Sequence, residues 1–371
     1  MTTTHATEIT PAPPSAAPPA DRRSGRARIQ EAILPALVAL LVAALVGDIL
    51  ILSFGQNPGA VYRLLIEGTW GNAYGFGQVL YKATTLTFTG LAVAVGLRAG
   101  LFNIGAESQL AAGGFCAAMV GLLLPAGLPA LVTLPIYIVA AALGGGIVGG
   151  IPGALKAKFG AHEVITTIML NFVVLALLNY LVSAHLKVPD TLHTSPIDGG
   201  ALPRLSAYIP SFHGSAANMV IVLAIIAVIA TWWYLFRTRR GFELRATGLQ
   251  PLAAEYGGVN VGNVWWRALA LSGALAGIGG LNFVLGYKYY YEDAFASGAG
   301  FLGIAVAIVG RNNPIGVALA SLAFATISQG GLAVNAMVPK QMVDVLEAVV
   351  IIAVAASVPE VRRLLRGKGA R

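Results

Sequence analysis

Few residues in this sequence could carry chemistry. The most concentrated set is Leu101-Phe102-Asn103-Ile104-Gly105-Ala106-Glu107-Ser108-Gln109. It sets an amide, a carboxylate and a second amide inside an otherwise apolar stretch. Gly105 permits a break, and Glu107 then falls in the first turn of the next helix, where the dipole favours a negative charge. Two readings stand side by side. The segment caps a helix at a membrane interface, or it forms a polar constriction of a translocation path, because carboxylates at membrane depth face protein or water. Asn171 and Asn179 lie two turns apart, roughly on one helix face. Buried Asn residues join helices, and lining a substrate path is the alternative. Asp344 and Glu347 share a face near one end of an apolar run, where dipole complementarity and water access account for them. Asp48 lies deeper in its run and is less easily explained.

No catalytic constellation emerges. There is no G-x-x-x-x-G-K-[ST], so a P-loop for ATP is lacking. His162-Glu163 has no second His at metal spacing. His5, His185, His193 and His213 have no Cys or carboxylate partners in register. The lone Cys116 forms no internal bridge, which excludes a disulfide scaffold. The sequence therefore reads as a non-enzyme with no metal and no cofactor of its own.

Residues 237–263 form a long polar segment between apolar runs. Pro251 suits the first turn of a short helix and Gly257-Gly258 ends it. Leu252, Ala253 and Tyr256 then share one face. Such a helix is too short to be stable alone. Presented by a long loop, it suits docking into a partner's groove. An interfacial helix lying on lipid is the alternative, and Glu243 and Glu255 weigh against it.

The elements that must hold these residues are apolar helices. The chain has 371 residues, 57% hydrophobic and only 11% charged. A soluble domain carries about 25% charged residues, so the fold class is an all-α, polytopic membrane protein. About ten transmembrane helices are expected, near 31–54, 78–98, 107–125, 130–151, 163–184, 217–236, 264–286, 298–310, 314–332 and 341–358. Most reach the roughly 20 residues that cross a bilayer core. The run at 298–310 is short, and 298–332 reads either as two spans or as one re-entrant hairpin. Glycines inside the runs, Gly144 to Gly146 and Gly273 to Gly280 among them, permit close helix packing.

Residues 1–30 read as a Pro/Ala-rich tail ending in the basic cluster Arg22 to Arg28, and 361–371 as a second basic tail, with the membrane domain at 31–360 between them. The Arg22-Arg23 pair reads as a positive flank of the first span. With the N-terminus inside, 18 of the 24 Lys and Arg fall on the inner side, so both termini are expected in the cytoplasm. The net charge of +8 is then an orientation signal, and no nucleic-acid partner is implied.

Four motifs occur together. They are Gly100 to Gln109; His162-Glu163-Val164-Ile165 through Asn171; Arg245-Ala246-Thr247-Gly248 with Ala253-Ala254-Glu255-Tyr256-Gly257-Gly258; and Gly303-Ile304-Ala305-Val306-Ala307 with Gly310-Arg311-Asn312-Asn313-Pro314. In this order they resemble the permease subunits of bacterial ABC importers of the simple-sugar and branched-chain amino-acid type, above all nucleoside permeases. Ser108 stands where the pattern has Gly, and the Pro-rich tail lies outside it.

The resemblance implies a permease of the bacterial plasma membrane, possessing inverted-repeat halves and importing nucleosides, simple sugars or another small polar solute. It implies separate ATPase subunits that hold ATP and Mg, a second permease chain and an extracytoplasmic binding lipoprotein. It assigns ATPase coupling to Arg245, Gly248, Pro251, Ala253, Ala254, Glu255, Tyr256 and Gly257. Asn103, Glu107, Gln109 and Asn171 are the candidates for the translocation path. An ion-coupled secondary transporter, with Asp48 or Glu107 as its ion site, is the rival from another class.

Overall fold

The computed structural model describes residues 41–353, apart from positions 43, 126, 201, 293, 340, 343 and 350. The tails expected at 1–30 and 361–371 lie outside the described residues, as do parts of the runs at 31–54 and 341–358. Among the described residues the chain is helical, and its extended pairs are isolated bridges such as His193 with Glu292.

Among the described residues, seven helices are long and apolar enough to cross a membrane. They are α3 (Ala73–Arg98), α4 (Ala106–Leu123), α5 (Ala130–Phe159), α6 (Glu163–Leu181), α7 (Val220–Arg237), α10 (Val261–Gly279) and α13 (Pro314–Ala333). α10 runs on through the single turn α11 (Leu281–Phe283) and a π-helical stretch, Val284–Lys288. Shorter helices include α1 (Ala44–Ser53), α2 (Pro58–Thr69), α8 (Arg239–Leu249), α9 (Pro251–Tyr256) and α12 (Ala299–Val309), and the last described helix lies within 341–353.

The run expected to span at 298–310 is α12, and it has 11 residues. At 1.5 Å per residue it is about 16 Å long, roughly half of a bilayer core. By length alone it is a half-span. A tight turn follows it, in which Arg311 and Asn312 both have positive φ, and α13 begins at Pro314 with Asn313 as its cap.

α3 is the centre of the bundle. Every residue from Leu86 to Gly96 is buried. α12 packs along its side and points the same way. The Thr89 hydroxyl donates to the Ala299 carbonyl near the start of α12, and Arg98 Nε donates to the Asn312 carbonyl just past its end. Segments 90–98 and 303–311 are therefore two parallel neighbours that pack on each other. Gly90 and Gly303 lie at their contact, facing Val306 and Thr89.

α5 and α10 meet along a stripe of glycines. A Cβ on Gly145 would lie 2.8 Å from the Cα of Gly277, and one on Gly273 would lie 3.0 Å from the Cα of Gly149. Only the absence of side chains lets these backbones touch. In lipid, where apolar side chains gain nothing by leaving their solvent, such close contact is the source of helix association.

Candidate functional site

The polar segment 101–109 turns back beside the last turn of α3, with the Asn103 side chain against Gly96. α4 therefore begins inside the bundle. Its first turn exposes orphan N–H groups that lipid cannot satisfy, and the sequence supplies acceptors for them. Asn103 Oδ1 accepts from the Gly105 N–H at 2.9 Å, and Asn171 Oδ1 accepts from the Ser108 N–H at 3.1 Å. Asn103 Nδ2 donates to Gln109 Oε1 and to Ser272 Oγ, each at 2.8 Å. Gln109 Nε2 returns a bond to Asn103 Oδ1 at 3.1 Å. Asn171 Nδ2 closes the network on the Ile104 carbonyl at 2.9 Å.

Glu107 faces a second broken helix. Its Oε1 accepts from the Gly298 N–H and its Oε2 from the Gly300 N–H, both at 2.6 Å. The carboxylate, 5% exposed, thus serves the N-terminus of α12 from the first turn of α4. Two helix N-termini meet at one negative charge, which both dipoles favour. Asn103, Glu107, Gln109 and Asn171 are all buried here, with Asn103 bonded to Gln109 and Glu107 bonded to α12.

Beside this junction lies a cavity of about 600 Å³. Gly298 and Ala299, the start of α12, form part of its wall. Aromatic residues enter from α11 and from the segment before and within α12: Phe283, Phe295 and Phe301. Phe283 and Phe295 are stacked, with centroids 4.8 Å apart and planes at 28°. Tyr81, Lys82 and Thr85 enter from α3, Ser328 from α13, and Asp344 and Glu347 from the last described helix. Lys82 Nζ donates to Ser328 Oγ at 3.2 Å. The four residues of the polar junction are not among its lining residues.

Sequence reading missed this cavity. Lys82 lies five residues into an apolar run, and a charge at that depth is a functional signal by itself. Asp344 and Glu347 were read as serving a helix end, and the structure sets them on the cavity wall.

The segment 237–263 folds as two helices. Thr238 caps α8 by accepting from the Gly241 N–H at 3.0 Å. Leu244 and Thr247 are buried against the bundle. Gly248 packs on the Arg98 carbonyl with no room for a side chain. Arg245 and Arg98 both lie over the Phe236 ring, at 5.2 and 5.6 Å. Gln250 is extended, Pro251 starts α9, and Gly258 with φ +83° reverses the chain after it. Gly257 donates to the Ala253 carbonyl at 3.1 Å. Ala254 is the inward side of α9. Ala253, Glu255 and Tyr256 are exposed, Tyr256 at 94%, and Leu249 and Leu252 stand out beside them. The result is an apolar and acidic knob at the end of the bundle that carries Arg98.

Residues 75–355 match the family model described as the permease component of branched-chain amino acid transport systems. The guanosine ABC transporter permease NupP of Bacillus subtilis is 34% identical over 89% of this chain and 94% of its own length. The nucleoside permease NupB of Lactococcus lactis is 34% identical over 87% of this chain and 90% of its own. The glucose permease TsgB13 of Haloferax volcanii is 33% identical over 85% of each chain. No solved structure matches the chain significantly. The broken helices, the exposed knob and these similarities agree: the chain belongs to the branched-chain amino acid transport permease family and is the permease component of an ABC importer.

Proposed function

We propose that this permease imports nucleosides across a bacterial plasma membrane. Two permease chains would stand side by side, two ATPase subunits would dock on α9, and an extracytoplasmic lipoprotein would deliver the solute. ATP and Mg act on the ATPase subunits. The observation that carries the coupling reading is α9 itself. It is a helix too short to stand alone, held out from the bundle by α8 with Glu255 and Tyr256 exposed.

In this reading the end bearing Arg98, Arg245 and α9 is cytoplasmic, and so are both tails. The chain has about ten membrane segments, counting the terminal runs and the half-span α12, in two inverted halves. Asn103, Glu107, Gln109 and Asn171 frame the path, and the cavity beside them forms its wall. The nucleoside substrate is supported by the relatives from Bacillus subtilis and Lactococcus lactis. The glucose permease keeps a sugar substrate as the second reading.

The test is uptake into proteoliposomes holding the complete importer. Labelled guanosine should accumulate only with ATP inside reach of the ATPase subunits. Accumulation by this chain alone, driven by an ion gradient, would replace the reading with a secondary transporter.

A further inference from the structure

The cavity beside the Glu107 junction combines aromatic rings with charged and hydroxyl groups. Three phenyl rings come from α11 and 295–301 and the Tyr81 ring from α3, while the charges come from α3 and 344–347 and hydroxyls from α3, Ser297 and α13. At about 600 Å³ it falls within the usual size of a small-molecule site, about 300–1,000 Å³. Phe283 and Phe295 already form a stacked pair, and Phe301 beside them is 49% exposed. A plain sugar has no π-face to add to the phenyl stack. A greasy solute has no use for Lys82, Asp344 or Glu347.

We propose that this cavity is the membrane binding site for a planar heteroaromatic ring carrying hydroxyls, with the ring added to the Phe283–Phe295 stack and the hydroxyls turned to Lys82, Ser328 and Glu347. This rests on the nucleoside reading and deepens it by naming the residues that select for a base. Stacking on aromatic faces tolerates any base, because each has a π-face. The site therefore admits purine and pyrimidine nucleosides alike. Asp344 and Glu347 outweigh Lys82 on this wall, which disfavours a phosphate group and so nucleotides. The cavity also includes Gly298 and Ala299, so an occupant touches the N-terminus of α12 directly.

The experiment is guanosine uptake by the complete importer in proteoliposomes, comparing the parent with Phe283→Leu, Phe295→Leu and Phe295→Tyr. The Leu variants keep bulk and lose the ring. Their uptake should fall about 10-fold, the weight of one base stack, and Phe295→Tyr should restore it. Leu variants that match the parent within about twofold overturn the proposal. Should the Leu variants fail to insert, Phe301→Trp reads the site directly. Its added fluorescence should respond saturably to guanosine and not to ribose or guanosine monophosphate. An equal response to all three, or none to guanosine, also overturns it. The nucleoside reading fails separately, when the unmodified importer accumulates glucose or ribose and no guanosine.

Discussion

The Glu107 carboxylate on α4 holds Gly298 at the start of α12, accepting its N–H at 2.6 Å and that of Gly300 at 2.6 Å. The two residues are 191 positions apart, and the first turn of α4 supplies the acceptor for the start of α12. A half-span leaves orphan N–H groups at membrane depth, where no water can satisfy them. Glu107→Gln keeps the shape but removes the charge and turns one acceptor into a donor that faces an N–H. A charge-assisted bond contributes about 1.5–3 kcal/mol, so this variant should lose stability by about that amount, and Glu107→Ala by more. Thermal unfolding of the purified protein in detergent measures it. Unchanged stability in both would mean that packing alone seats α12.

How much of this was legible depended on distance along the chain. The bounds of α9 could be read because Pro251 and Gly257-Gly258 are local punctuation. The apolar runs could be read because length and hydrophobicity are local as well. The partner of Glu107 could not, since a glycine N–H leaves no mark in sequence and the pair closes across most of the fold. Asn103 and Asn171 were visible as polar residues out of place, yet their joining of α4's first turn to α6 needed coordinates. The cavity was hidden for another reason. Phe283, Phe295 and Phe301 resemble ordinary span filling, and only their convergence with Lys82 and Glu347 gives them meaning.

Gly145 and Gly273 make a sharper test of helix packing. A Cβ on either would press on the backbone of the other helix. Overpacking of a tight contact destabilises by about 1–3 kcal/mol, so Gly273→Ala should lower the unfolding temperature. Gly262, on the same helix, has its nearest neighbour at 3.5 Å. There Ala fits, and the better helix propensity should stabilise by up to about 1 kcal/mol. Opposite signs from one substitution type on one helix would separate packing from propensity. Equal effects would remove the close-contact account.

Gly248 joins the knob to the bundle. It lies on the Arg98 carbonyl at the end of α3, and Gly100 faces it from the other side. Gly248→Ala forces α8 off this seat, while the spans remain as they are. The chain should insert at normal levels, and transport should fall because α9 no longer follows α3. Limited proteolysis in the 239–256 region should speed up in the variant. Normal transport together with a normal cleavage pattern would show that α8 tolerates the shift.

Glu255 and Tyr256 provide the direct test of coupling. Both are exposed, and Tyr256 at 94% has almost no contact with its own chain. Surface changes of this kind alter stability by less than about 0.5 kcal/mol. An exposed Tyr that fills a partner's groove is a different matter, because such anchors contribute about 2 kcal/mol or more to binding. The double variant Glu255→Ala with Tyr256→Ala should therefore fold and insert normally but dock its ATPase about 30-fold more weakly. Uptake should fall with it, and the ATPase should lose its stimulation by loaded binding protein. A double variant that keeps full stimulation would take the coupling role away from α9 and move the search to Phe242 and Leu249, exposed on α8.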